Sequence, residues 1–353
     1  VYGGIGLNDV ADTLLQRALV LRRKARGDDH PDVGRSLHAL GVNAEQLGRY
    51  EAAASLNEAA AAVFRIYGEA QALALARALH SLAHANMRLH RLDDAERQIR
   101  ESLEIKRRML GEVHEEVPYG LNILGDVYNY QGRYEEAESV LREVLEIRRE
   151  LLGDDHLDVG VSYHNLGAAL LGLERYAEAE IMYREALVRW LGIYGGEHQE
   201  TANTMSQMAF AVGRQGRYEE SDSLHEVAIG IMRRVGEDHP RLSFNLVRRA
   251  RILAEAGRFE AAERAMGEAV RIQHRVLGES YPGLPRNLSR LATFVLRQGR
   301  FDEAESLLLE GLHLCDANPD EAPACRETMQ EAIGAFEEAG RRMSQVILAE
   351  GMR

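Results

Sequence analysis

The chain is poor in the residues that staple or anchor a protein. Two of its 353 residues are cysteine, Cys315 and Cys325, too few for a disulfide-built scaffold, so a reducing compartment is expected. No apolar run approaches the roughly 18 residues that cross a bilayer, and no charged-then-apolar leader opens the chain. A soluble, cytoplasmic protein with no membrane partner is therefore expected. Positive charge is outnumbered, 43 basic residues against 56 acids: the formal net charge is -13, which disfavours nucleic acid and anionic lipid as partners at long range. Lysine is nearly absent, with Lys24 and Lys106 standing against 41 arginines, a bias expected of a G+C-rich bacterial genome. Catalytic signatures are missing too. There is no glycine-rich loop closing on Lys-Ser/Thr, no Gly-x-Ser-x-Gly and no His-Glu-x-x-His, so a non-enzyme without cofactor or metal is expected.

What the chain does have is repetition. Gly48-Arg49-Tyr50-Glu51-Ala52-Ala53 returns as Gly132-Arg133-Tyr134-Glu135-Glu136-Ala137, Gly216-Arg217-Tyr218, Gly257-Arg258-Phe259 and Gly299-Arg300-Phe301, with Arg91-Leu92 and Arg175-Tyr176 as variants. The ring positions 50, 92 (leucine), 134, 176, 218, 259 and 301 are spaced 42, 42, 42, 42, 41 and 42. A second landmark keeps the same period, as in Gly27-Asp28-Asp29-His30, Gly153-Asp154-Asp155-His156 and Gly236-Glu237-Asp238-His239. Two landmarks divide each period into two elements, and both carry helical spacing. Tyr134, Ala137, Leu141, Val144 and Leu145 mark one face of the second element, and Val159, Tyr163, Leu166, Gly167 and Leu170 mark one face of the first. All seven prolines lie in or beside the links between repeats, where they break no helix interior.

Leu121-Asn122-Ile123-Leu124-Gly125, then Gly132-Arg133-Tyr134, then Ala137-Glu138 and Leu145, resembles a tetratricopeptide repeat. The linking Leu152-Gly153-Asp154-Asp155-His156 is similar to the kinesin-light-chain type of that repeat, which bacteria also use. The resemblance implies an all-α, right-handed superhelical solenoid of helix-turn-helix repeats that binds protein or peptide in a concave groove. Seven full repeats are expected at 33–68, 74–110, 116–152, 158–194, 200–235, 241–277 and 283–317. A second-helix half repeat at 8–26 precedes them, and a degenerate capping repeat at 322–352 follows. A half repeat at the start suggests a piece of a longer polypeptide, so a docking or sensor array of a bacterial signalling enzyme, a Ser/Thr kinase or a nucleotide-binding switch ATPase, is the alternative to a free-standing scaffold.

Recurrence also separates structural devices from sites. The acid-acid-His cluster recurs in the same link of three repeats, at 28–30, 154–156 and 237–239, which marks it as a helix-start device with the acids as caps. Cys315 and Cys325 fall in columns held elsewhere by Arg148 and Asp158 and are expected to be exposed, unpaired thiols. Trp190 shares a column with Phe64 and Arg148 and reads as a packing residue. Asn287-Leu288-Ser289 matches a glycosylation acceptor but sits on an expected helix. Arg249 occupies a core column and must reach either solvent or an acid.

The groove the resemblance implies is lined by the first helix of each pair. Counted backward from each ring position, -13, -10, -9 and -6 are apolar, and -15, -11, -8 and -4 lie on the opposite face. Those 28 positions hold nine arginines and two acids, where composition alone predicts about three cations. The arginines are Arg35, Arg77, Arg88, Arg214, Arg248, Arg251, Arg286, Arg290 and Arg297. Tyr119, Tyr130, Asn165, Gln207 and Phe210 occupy the middle of the stripe. The expected partner is an acidic or carboxylate-bearing peptide with an apolar centre. Single-stranded RNA stacked on the rings is a weaker reading, against which the net charge counts. Kinesin-light-chain repeats hold cargo with paired asparagines at -12 and -11; here Asn122 and Asn165 supply one each, and Arg248 and Arg290 stand in the later repeats.

Overall fold

Apolar residues at helical spacing, acids in the first turn of the second helices and glycines between elements dictate short amphipathic helices in pairs, and a computed structural model shows that arrangement. The structure describes residues 2–316, 325–327, 329–330 and 333–334. The expected capping repeat at 322–352 lies mostly outside the described residues.

The described chain divides into two units, residues 1–175 and 176–353. Unit 1 contains α1 (Tyr2–Arg26), α2 (Pro31–Gln46), α3 (Tyr50–Ile66), a 3-10 turn (Gly68–Gln71), α4 (Ala72–Arg88), α5 (Leu92–Leu110), α6 (Glu116–Tyr130), α7 (Tyr134–Leu152) and α8 (Leu157–Gly172). Unit 2 contains α9 (Tyr176–Tyr194), α10 (Gln199–Arg214), α11 (Tyr218–Val235), α12 (Pro240–Glu255), α13 (Phe259–Leu277), α14 (Gly283–Leu296) and α15 (Phe301–Asp316). Within each unit every helix packs on the next in the chain, and first helices also touch one another, as in α2 with α4, α4 with α6 and α10 with α12. This is the all-α array of helix pairs that the repeats imply.

Leu121, Leu141, Leu166 and Leu170 are wholly buried between α6, α7 and α8, each worth about 1.5–3 kcal/mol of transfer free energy. The glycine of Leu-Gly is a contact requirement: a Cβ on Gly125 would sit 2.8 Å from the Leu141 side chain, so the α6–α7 crossing closes only on glycine. The turn inside each pair needs a left-handed residue. Gly132 supplies it at φ 74°, while His90 and Glu174 adopt φ 58° at the same place.

Two recurring contacts join the pairs. In the first, the arginine of five of the turns reaches back to an acid four residues after the preceding ring position, while Arg91 reaches Glu51. Arg133 meets Glu96 at 2.7 Å, Arg175 meets Glu138 at 2.5 Å, Arg217 meets Glu180 at 2.8 Å, Arg258 meets Asp222 at 2.8 Å and Arg300 meets Glu263 at 2.7 Å. In the second, an inward residue late in a second helix grips the next first helix. Arg22 and Arg148 each donate to a backbone carbonyl ten residues on, of Asp32 and Asp158, and to the hydroxyl of Ser36 or Ser162. Trp190 belongs to this column: it is buried, and its Nε1 donates to Thr204 Oγ1 at 2.8 Å.

That column corrects the reading of the cysteines. Cys315 is fully buried rather than exposed, and it forms a disulfide with Cys325, ten residues on, where Arg148 meets Asp158. The column points into the next helix, so a thiol there finds its partner instead of solvent. The link clusters are also revised in one respect. The cap is the histidine: the Nδ1 of His30, His114, His156, His198 and His239 accepts the backbone N–H two residues on, at 3.1–3.2 Å. Asn287 is buried on α14. Arg249 on α12 is partnered as its column demands, by Asp222 at 2.7 Å and Glu226 at 2.6 Å on α11.

An imidazole that accepts at Nδ1 is replaceable by a side chain that accepts from the same place. His156→Ala should cost about 1 kcal/mol in chemical denaturation, and His156→Asn should recover most of it. Peptide mapping without reductant should recover Cys315 joined to Cys325, and thiol titration of the native chain should find neither free.

Candidate functional site

The stripe positions lie on the faces of α2, α4, α6, α8, α10, α12 and α14 that the core leaves open, and most are half-buried or exposed. Within each unit the 42-residue period brings stripe positions of one first helix against polar residues of the next. In unit 1, Asn165 donates to Asn122 Oδ1 at 3.3 Å, and Tyr119 donates to Asp158 Oδ2 at 3.2 Å. His84 and Glu45 meet at 2.7 Å. In unit 2, Arg214 pairs with Glu255 at 3.0 Å. Gln207 is half-buried on α10 beside Phe210, which lies under Arg251 at 4.6 Å.

The arginines do not form one uniform basic stripe. Those of unit 1 are engaged. Arg35 pairs with Asp32 at 2.6 Å, Arg77 holds both Glu116 oxygens at 2.5–3.3 Å, and Arg88 lies over the Tyr50 ring at 5.0 Å. Tyr130 remains exposed, its ring T-shaped to His90 with centroids 5.8 Å apart. Arg214 is engaged as well, over the Tyr176 ring and against Glu255.

Arg248, Arg251, Arg286 and Arg290 of unit 2 differ. Among the described residues none of them forms an ion pair. Arg248 and Arg290 donate instead to the amide oxygens of Asn245 and Asn287, at 3.2 and 3.3 Å, and both asparagines are buried. Burial, then the charges of Arg251 and Arg286, bring Arg290 down to about 10. Burial likewise lowers Arg248 and Arg251. Arg297 stands exposed at the end of α14. Partly desolvated guanidiniums that repel one another are stabilised by an incoming anion, and their planar forks suit a carboxylate.

The difference has a source in the sequence that the stripe columns miss. Eighteen residues before ring positions 50, 134, 176 and 218 stand Asp32, Glu116, Asp158 and Glu200, in the first turn of α2, α6, α8 and α10, while α4 has Ala74 there. In α12 and α14 that place is taken by Arg241 and Gly283. Glu116 and Asp158 reach back in this way to Arg77 and Tyr119 of the preceding first helix, whereas α12 and α14 offer no first-turn acid.

Asp126 is the acid in the unit 1 part of the stripe. Burial pushes its carboxyl up to about 6, against the pull of His84. The folded state therefore binds the extra proton between roughly pH 4 and 6, and Asp126 costs stability as pH rises through that window. Asp126→Asn should flatten the pH dependence of unfolding between pH 4 and 6 and raise stability at pH 7 by about 2 kcal/mol, measured by urea denaturation across pH.

No sequence match is found among curated proteins. Solved structures are similar in fold. BtubC (BKLC) of P. vanneervenii is 20% identical, with a TM-score of 0.56 over 65% of this chain and 92% of that one. A Podospora anserina kinesin light chain with nearly identical TPR-like repeats is 22% identical, with a TM-score of 0.51 over 58% and 98%. The Rap conjugation gene regulator of plasmid pLS20, solved in complex with the Phr* peptide, is 15% identical, with a TM-score of 0.55 over 84% and 77%. The tetratricopeptide repeat profile matches residues 1–66, 75–116, 117–189, 173–234, 200–273 and 242–317, and with the paired helices of both units this establishes that the chain belongs to the tetratricopeptide repeat family.

Proposed function

We propose that this chain is a non-catalytic scaffold that binds a protein or peptide segment on the open face of its first helices, and that acidic or carboxylate-bearing segments are favoured at unit 2. The observation that carries the preference is the group of Arg248, Arg251, Arg286 and Arg290, placed with no carboxylate paired to any of them among the described residues. Phe210 beneath Arg251 and the Phe244–Tyr281 ring pair at 6.3 Å give the same face apolar surface for a side chain beside the acid. The Rap regulator of pLS20, similar in fold, is a peptide complex, which supports the general mode.

The test is fluorescence anisotropy of the full chain with acidic-aromatic, basic and scrambled peptides and a short single-stranded RNA, at low and high salt. Acidic peptides should bind in a salt-sensitive way, and Arg248→Gln with Arg290→Gln should weaken them at least tenfold. Arg35→Gln and Arg88→Gln, whose charges are already engaged, should change affinity less than about threefold. Equal affinity for the scrambled or basic peptides, or tighter binding of RNA, would sink the acidic preference.

A further inference from the structure

A second polar feature lies within unit 1. A cavity of about 240 Å³ opens between α2, α4, α5 and α6, with Lys106, His80, Ser81, Arg77 and Glu116 on its walls. Lys106 is only 3% exposed. Its nearest acceptors are the Glu116 carbonyl oxygen at 3.5 Å and Glu116 Oε2 at 3.7 Å. A charge-assisted hydrogen bond spans about 2.7–2.9 Å, so this ammonium is poorly served.

Its counterparts show what it lacks. Arg22 and Arg148, in the same column, reach a serine hydroxyl at 2.6 and 2.9 Å, fourteen residues on. In this repeat that place is Gly120, and a side chain there would meet Leu103 at 2.7 Å. The missing acceptor leaves a cation facing a void. Beside it, His80 Nδ1 is buried and has no hydrogen-bond partner. Burial, then the charge of Lys106, pushes the imidazole down to about 3, so it is neutral and offers a hydrogen bond without adding charge. Glu116 is consumed by Arg77, which holds its carboxyl below the usual range. Two cations and one anion leave the walls one positive charge in excess.

We propose that this cavity binds the carboxylate of a small organic acid, with Lys106 supplying the countercharge and His80 and Ser81 the hydrogen bonds. One negative charge balances the walls, whereas a phosphate dianion would bury an excess of its own. The space is that of about eight waters at ~30 Å³ each, enough for a short acid and too little for a nucleotide. A free acid and an acidic side chain of a bound peptide offer the same group. The inference stands apart from the peptide reading, because it uses none of the unit 2 arginines.

The test is calorimetric titration of the full chain with acetate, propionate, benzoate and inorganic phosphate at constant chloride, and with an acidic peptide. One small carboxylate should bind 1:1, and Lys106→Met should weaken it at least tenfold, with Ser81→Ala giving a smaller loss. Lys24, exposed on α1, is the other lysine, so mass spectrometry of acylated wild-type chain reads Lys106 against an internal reference. The bound acid should slow acylation of Lys106 alone, a readout that survives if Lys106→Met fails to fold. Binding of the acidic peptide alone, abolished by Lys106→Met, would support the site and assign its carboxylate to a peptide. No binding of any carboxylate with no protection of Lys106, or phosphate binding as tightly as the acids, would overturn it. Arg248→Gln with Arg290→Gln should leave small-acid binding unchanged, so failure of the peptide reading and failure of this one are told apart.

Discussion

The interaction on which the arrangement depends is the backward reach of the turn arginine to a nearly buried acid of the preceding second helix. The acids Glu96, Glu138, Glu180, Asp222 and Glu263 keep only 8–23% of their side chains exposed, so each would be costly without its guanidinium. The pair forms only when a turn stands one period from its acid. Hydrophobic faces alone tolerate sliding of one helix pair along another, since burial is non-directional. A charge pair with a defined fork does not. Within each unit this contact sets the stacking register, and the register brings stripe residues of one first helix against polar residues of the next.

The inward column late in each second helix shows how differently one mechanical task can be met. Arginine does it with a carbonyl and a hydroxyl, tryptophan with one hydroxyl, and Gln273 by accepting from Asn287 at 2.9 Å. Cys315 does it with a covalent bond. Lys106 performs it least well, because its hydroxyl partner is replaced by Gly120. A repeat protein tolerates such substitution since each interface is local, and the departure from the common solution is where space and unsatisfied charge collect.

The helix pairs were legible in the sequence because a 42-residue period repeats the same burial pattern seven times, and the landmarks Gly-Arg-Tyr and Gly-Asp-Asp-His mark both ends of each second helix. The stripe columns were legible for the same reason. Partnership was not: Arg77 and Arg290 sit in equivalent polar columns, and what separates them is Glu116, on a neighbouring helix 39 residues from Arg77. The acids of the first turn carried that signal, but it becomes readable only once the register says which turn faces which arginine. The cysteines failed for a related reason. Their columns hold polar residues elsewhere, which reads as exposure, whereas those polar residues point inward and are satisfied there. The cavity beside Lys106 is a contrast between a serine in two repeats and a glycine in one, invisible until the two helices are seen to meet.

A net charge of -13 counts against the acidic partner that we propose, and distance weighs on the other side. At physiological ionic strength the screening length is about 8 Å, so the summed charge of the chain weakens approach from afar but not contact. At contact the relevant charges are the nearest ones, and in unit 2 these are guanidiniums whose local acid is absent from α12 and α14. Burial, and then their mutual repulsion, lower Arg290, and an anion seated among them would relieve both. Arg77, with Glu116 already in its fork, gains nothing comparable from the same anion. On the function we propose, recognition on this face depends less on how many arginines line it than on which of them the following period has left without an acid.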